Sequence, residues 1–149
     1  MSRYPAPPPG AATVEIRVPF HHVDFLRVVW HGRYLEYLEA AQGAFLRARG
    51  LDLPDMQAMG FVFVVAETQV RHLYPLRYGD VVQVSCWVDG DESRIDMVYD
   101  LVNATVERRC ATARTSLVTL TDAGELCLAT PGTILERLRG APVSGQGGR

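Results

Sequence analysis

Asp24 stands alone as the only acid in the run His21-His22-Val23-Asp24-Phe25-Leu26-Arg27-Val28-Val29-Trp30-His31-Gly32-Arg33-Tyr34. Its neighbours Val23, Phe25 and Leu26 are apolar, and such surroundings raise a carboxylate's pKa and its nucleophilicity by removing water. Seven residues further on, His31 opens a helical pattern. The first N–H groups of a helix have no partner in the helix and carry the positive end of its dipole. A carboxylate and a helix N-terminus facing one pocket make a simple device. The amides hold a carbonyl oxygen as charge develops on it, while the carboxylate attacks or activates water. The same residues also allow a plainer reading, in which Asp24 caps the helix or pairs with Arg27. A metal held by His22, Asp24 and His31 is conceivable in geometry, but no second ligand pair at standard spacing supports one.

The other candidates are more scattered. His22, adjacent to His21 at the expected end of a strand, shares a face with Asp24 and could steer it. Glu67 is an acid in an otherwise apolar strand, where it could edge a pocket. Tyr34, Tyr37 and Phe45 read most simply as core. The chain contains no Gly-x-Ser-x-Gly, His-Glu-x-x-His, Gly-x-Gly-x-x-Gly or Cys-x-x-Cys pattern. All fifteen basic residues are arginine. The lack of lysine removes Schiff-base chemistry, pyridoxal phosphate attachment and P-loop phosphate binding from consideration.

One long helix must carry the start of this pocket. Tyr34, Leu38, Ala41 and Phe45 recur at helical spacing within residues 31–49, and Gly50 is a suitable stop. Before it, residues 13–20 alternate as a half-buried strand, with Val14, Ile16 and Val18 on one face. After it, residues 51–60 form a linker or a short turn of helix. Strands are expected over residues 61–73, 81–88, 93–103 and 107–121, with a return pairing near residues 126–129 and a last helical turn at residues 133–139. The total is one substantial helix and five or six antiparallel strands, an α+β architecture in which a curved sheet wraps the helix. Phe61-Val62-Phe63-Val64-Val65 is apolar on both faces, so a second subunit is expected to cover what one helix cannot.

At 149 residues and 48% hydrophobic content the chain has the makeup of one soluble domain with one core. Residues 1–12 and 140–149 read as flexible tails around a domain at 13–139. A formal charge of −2 argues against nucleic acid as a partner. No apolar run approaches the ~20 residues of a membrane span. Three cysteines without metal-like spacing, and no recognisable targeting segment, point to a reducing, cytoplasmic location.

The pattern Asp24-x-x-x-Val28-Val29-Trp30-His31-x-x-Tyr34, continued by Leu35-x-x-x-Glu39-Ala40-Ala41, resembles the signature of hotdog-fold acyl-CoA thioesterases of the 4-hydroxybenzoyl-CoA thioesterase type. Val70-Arg71-His72-Leu73-Tyr74-Pro75-Leu76-Arg77-Tyr78-Gly79-Asp80 is similar to that family's second recurrent stretch. The resemblance covers roughly residues 14–121. It implies a hotdog fold, Asp24 as the catalytic carboxylate, and the backbone amide at His31 as the group that polarises the thioester carbonyl. It also implies a homo-oligomer, a dimer or a dimer of dimers, with the site between subunits. No metal or organic cofactor is implied. His22, Arg27, Trp30, Glu67, Arg71 and Arg77 complete the expected substrate-binding set. Arg71 and Arg77 either meet phosphates of CoA or are solvated.

Two departures from the family pattern stand out. Phe25-Leu26-Arg27 replaces small residues or glycine, and an arginine resists the positive φ that glycine permits, so the loop is expected to differ in shape. Arg33 replaces an asparagine. Arg27 either pairs with Asp24 or turns outward toward a phosphate; the outward role is favoured because Phe25 and Val28 are better fillers of the loop's inner side. The expected activity is hydrolysis of an acyl-CoA to an acid and CoA. Two alternatives remain: a thioesterase acting on an acyl-carrier protein, and a hotdog protein that binds acyl groups without hydrolysing them.

Overall fold

A computed structural model describes residues 6–140. Most of the expected C-terminal tail and the first five residues of the N-terminal tail lie outside the described residues. The chain runs through β1 (Ala12–Arg17), a 3-10 turn (Phe20–His22), a second 3-10 turn (His31–Arg33), α1 (Tyr34–Arg47), α2 (Leu53–Met59), β2 (Phe61–His72), β3 (Val81–Gly90), β4 (Ile95–Asn103), β5 (Arg108–Thr121) and α3 (Gly132–Arg139). The five strands form one antiparallel sheet in the order β1-β3-β4-β5-β2. This is the α+β hotdog arrangement, with five strands wrapped on α1.

Alternation makes the sheet's two faces chemically different. Val82, Val84 and Cys86 of β3 and Ile95, Met97, Tyr99 and Leu101 of β4 are fully buried on the face toward α1. Helix α1 answers with Tyr37, Leu38, Ala41 and Phe45, whose three- and four-residue spacing forms one apolar stripe. The opposite face is more polar. Arg114 meets Asp89 at 2.8 Å, Gln83 donates to Glu15 at 3.0 Å, and Arg109 donates to Asp100 at 3.1 Å. The face away from α1 thus carries these polar pairs among apolar residues such as Trp87 and Val98, and β2 adds exposed apolar residues at the sheet's margin. That strand is a sheet edge, and its Val64 and Val65 are 41% and 53% exposed.

Local chemistry moves several boundaries from where alternation alone put them. His21 and His22 sit in a 3-10 turn after Pro19 rather than at a strand end. Gly90 belongs to β3, which slips register between Val88 and Gly90, so the strand expected over residues 81–88 runs two residues further. The return pairing beyond β5 is a single bridge, Leu120 to Leu126. Asp52 and Asp55 form a reciprocal cap, and with Pro54 in the first turn they make a seven-residue helix of the stretch expected as a linker or a short turn of helix. Arg49, 8% exposed, donates to the carbonyls of Gly10 at 2.7 Å and Leu138 at 3.2 Å, tying the approach to β1 and the end of α3 to the end of α1. Among the described residues, no helix is long and apolar enough to cross a membrane.

Candidate active site

The Asp24 segment folds as a tight hairpin that feeds α1. Val23 pairs with Val29, the Asp24 N–H donates to Val28 at 2.9 Å, and the Arg27 N–H donates to the Asp24 carbonyl at 2.9 Å. The Trp30 N–H donates to the His22 carbonyl at 3.0 Å, so both hairpin arms are held where the helix begins. Closing the loop requires a left-handed residue at its end. Arg27 takes that conformation, with φ 65°. The expectation that an arginine would change the loop's shape is therefore corrected: the backbone keeps the positive φ and accepts the cost, which is ~1 kcal/mol for a side-chain-bearing residue.

The Asp24 carboxylate performs neither of the plainer tasks. Oδ1 accepts the Leu26 N–H at 2.8 Å, within the hairpin itself. It does not cap α1, and Arg27 is exposed and makes no ion pair with it among the described residues. Its expected apolar surroundings are not supplied by its own loop. Phe25 is 97% and Leu26 72% exposed, so neither is packed as a wall around the acid within one chain, and Phe25 is not an inner filler. In a hairpin this tight, the two tip residues project outward and only the flanking Val23 and Val29 reach the core.

The start of α1 is open to a ligand. No side chain caps the His31–Arg33 turn, and no acceptor among the described residues takes the N–H of His31 or Gly32. Unpaired amides at a helix N-terminus attract developing negative charge. A Cβ at residue 32 would overlap the Trp30 indole, so Gly32 is what lets that ring, 51% exposed, lie across the turn beside the His31 ring. The arrangement can hold a carbonyl oxygen at the amides and present a carboxylate from the adjoining hairpin.

The histidines and tyrosines behind the turn fix its position. His22 Nδ1 is hydrogen-bonded to the Tyr37 hydroxyl at 2.7 Å, and its Nε2 lies 3.7 Å from Glu36. It anchors the hairpin to α1 and does not touch Asp24. Burial first, then the Arg33 charge, holds its pKa below 6.5. Burial pushes the Tyr37 hydroxyl up to about 12. His72 at the end of β2 stands edge-on to the Tyr34 ring at 4.5 Å. Its pKa is lowered by burial and then by the charge of His31, which puts those two imidazoles in one neighbourhood. The sequence reading gave His72 no role, although alternation along β2 puts it on the same face as Val70.

The second recurrent stretch buttresses the first. The Val29 N–H donates to the Leu76 carbonyl at 2.8 Å. Asp80 accepts the Arg77 N–H at 2.9 Å and the amide of buried Asn103 at 2.8 Å, so this acid closes a turn. Arg77 is exposed next to Leu76, on the hairpin's side of the molecule. Glu67 and Arg71 are separate from this cluster within one chain. A bulge between Val65 and Glu67 sets Glu67 opposite Ser116 on the polar face, where Gln69 donates to it at 3.2 Å. Arg71 lies on the same face in a groove with Thr112 and Arg114.

Residues 18–138 match the Thioesterase-like superfamily. The chain belongs to that family. By family it is a thioester hydrolase, and its hotdog fold agrees. A Synechocystis protein named as an esterase is 28% identical over 127 residues, which span 84% of this chain and 76% of that one. A Bacillus subtilis protein provisionally named an acyl-CoA thioesterase is 28% identical over 85 residues, 57% of this chain and 61% of that one. The crystal structure of a 1,4-dihydroxy-2-naphthoyl-CoA thioesterase from Synechocystis superposes with a TM-score of 0.75 at 19% identity, covering 86% of this chain and 95% of that one. This last likeness is one of fold.

Proposed function

We propose that the chain hydrolyses acyl-CoA thioesters to a carboxylic acid and CoA, as a member of the 4-hydroxybenzoyl-CoA thioesterase type. Two observations support this reading: the hairpin that carries Asp24 is bonded to the residues that open α1, and no acceptor among the described residues takes the His31 and Gly32 amides. The thioester oxygen binds at the His31 amide, which stabilises the charge that develops as the carbonyl is attacked. Asp24 then acts in one of two ways. As nucleophile it forms a mixed anhydride, the C–S bond breaks, and the thiolate leaves and takes up a proton; water then hydrolyses the anhydride. As general base it takes a proton from the water that attacks. No metal or organic cofactor enters either route. The B. subtilis relative's name supports the CoA thioester as substrate.

The site is completed by a second copy of this chain. Phe25 and Leu26 at the hairpin tip and Val64 and Val65 on the β2 edge are apolar and exposed in one chain, more than isolated domains leave wet. Pairing two copies about a two-fold axis, as a dimer or a dimer of dimers, covers them and dries the surroundings of Asp24. It also brings Glu67 and Arg71 of one copy toward the other's hairpin, where Arg27, Arg71 and Arg77 hold CoA phosphates and Trp30 and His22 flank the acyl group. The functional unit is residues 13–139. The free thiols Cys86, Cys110 and Cys127 suit a cytoplasmic location.

Two measurements test the reading. A screen with short-chain, long-chain and aromatic acyl-CoAs is expected to show CoA release for at least one class; release only from an acyl-carrier protein, or acyl binding without release, would replace it. Sedimentation at micromolar concentration is expected to show a species at least twice the 16.5 kDa chain mass. A stable monomer would remove the shared site.

A further inference from the structure

The far end of α1 opens on a cleft of about 720 Å3. It exists because β1 starts late. β1 pairs with β3 only as far as Ala12 opposite Cys86. Before Ala12 the chain turns aside: the Ala11 N–H donates to the Pro8 carbonyl at 3.1 Å, and Gly10 takes φ 86°. Pro8 and Pro9 have no N–H to offer a neighbouring strand. The last residues of β3, from Trp87 on, therefore run past the end of β1 and wall the cleft on one side. Phe45 of α1 and Leu138 of α3 wall it on the other. The length of α1 sets the cleft ~20 Å from the His31 turn.

One charge in this cleft is unbalanced. Arg139 is held by both oxygens of Asp91 at 2.9 Å, and Asp89 meets Arg114 at 2.8 Å. Arg49, 8% exposed, lies over the Phe45 ring, 3.7 Å from its centroid. Its Nε and Nη2 donate to the carbonyls of Leu138 and Gly10, which are neutral groups. No carboxylate among the described residues pairs with Arg49, and no acceptor among them takes its Nη1 N–H groups. Burial lowers its pKa from the ordinary arginine value and no acid offsets this, yet an arginine keeps its charge in a protein. A buried charge without a counter-ion is costly, and an anion in the cleft would lower that cost.

We propose that this cleft is a second ligand site, which takes a monocarboxylate with an apolar body. The carboxylate accepts from Arg49 Nη1, and the body lies against Trp87 and Leu138. The charges select the class. One unpaired guanidinium balances one negative charge, and Asp89 on the wall repels a second, which disfavours diacids and phosphates. A cavity of ~150 Å3 holds benzene, so the cleft has room for a ring or a short chain. The inference goes beyond the thioesterase reading and does not depend on it, since Asp24 lies at the opposite end of α1.

Benzoate is the probe and Trp87 the reporter. The chain has two tryptophans, Trp30 and Trp87, so Trp30→Phe leaves only the one in the cleft. Titration of the full-length Trp30→Phe chain with benzoate is expected to change Trp87 emission with a Kd below about 1 mM. Benzyl alcohol has the ring without the charge, acetate the charge without the ring, and phthalate a second charge. Each is expected to bind about tenfold more weakly. Arg49→Gln, which keeps an N–H donor, is expected to weaken benzoate about tenfold as well, whereas Asp24→Asn should leave its Kd unchanged. The three comparison ligands are measured with Arg49 intact, so they decide the matter even if Arg49→Gln does not fold. No change in Trp87 emission, the result if a second copy of the chain fills the cleft, would overturn the proposal. So would benzyl alcohol or phthalate binding as tightly as benzoate, a folded Arg49→Gln that keeps the benzoate affinity, or loss of binding in Asp24→Asn. Each of these results leaves the thioesterase reading standing.

Discussion

The Val29 N–H donates to the Leu76 carbonyl at 2.8 Å, and this bond joins the arm of the Asp24 hairpin to the turn that follows β2. Leu76 is fully buried, and its backbone is also hydrogen-bonded to the Tyr34 hydroxyl. Burial, the first cause, raises the Tyr34 hydroxyl far out of its ordinary range, so it stays a neutral hydrogen-bonding group at all working pH values. Tyr34→Phe removes that bond and leaves a buried backbone group with one partner fewer. Expected is a loss of about 1 kcal/mol, a drop of roughly 2–4 °C in Tm, read by calorimetry. An unchanged Tm would show that the bond contributes nothing.

Arg27 separates strain from binding. Its φ of 65° suits glycine, and its side chain is free to meet a phosphate. Arg27→Gly is expected to keep or raise Tm, because the left-handed strain of ~1 kcal/mol is relieved while the chain's flexibility rises. The same variant is expected to raise KM for acyl-CoA with kcat kept, since a phosphate contact acts equally in ground and transition states. An acyl thioester lacking the nucleotide should show no such rise. A fall in kcat with both substrates would mean that the residue acts on Asp24.

Acid should loosen the hairpin's anchor. The His22 pKa is depressed below 6.5 in the folded chain, so the unfolded chain binds more protons as pH falls through that value. The groups around His22 oppose one another: Arg33 and His21 lower its pKa, Glu36 raises it, and Tyr37 shares a hydrogen bond with it. Stability from His22 is therefore fully present above pH 6.5 and declines below it toward the depressed folded value. Tm measured from about pH 5 to 8 is expected to fall on the acid side, and His22→Gln, which cannot titrate, to flatten that slope. Equal slopes in both proteins would assign the acid sensitivity elsewhere, His72 being the next group with a lowered pKa.

Periodicity carried most of the fold. The stripe Tyr34, Leu38, Ala41, Phe45 and the alternation of β3, β4 and β5 each appear in the structure as buried faces, because burial enforces the period. What alternation could not show is where it breaks. The bulge at Val65/Glu67 moves Glu67 to the polar face, and the 3-10 turn after Pro19 takes His22 out of extended backbone. The hairpin differs from the expectation in two respects for one reason. Propensity describes a residue alone, whereas the bonds Asp24 to Val28 and Arg27 to Asp24 dictate Arg27's φ and turn Phe25 outward. His72 and Leu76 joined the site through contacts between distant segments, which no local pattern records.

The most direct measurement of the central claim is steady-state hydrolysis of a good acyl-CoA by Asp24→Asn. The substitution keeps an oxygen able to accept the Leu26 N–H, so the hairpin is expected to stay closed and Tm to hold. An amide neither attacks well nor takes a proton, and kcat is expected to fall by several orders of magnitude. A folded variant that keeps more than about a tenth of wild-type kcat, a barrier change under ~1.4 kcal/mol, would contradict the assignment of Asp24 as the catalytic carboxylate.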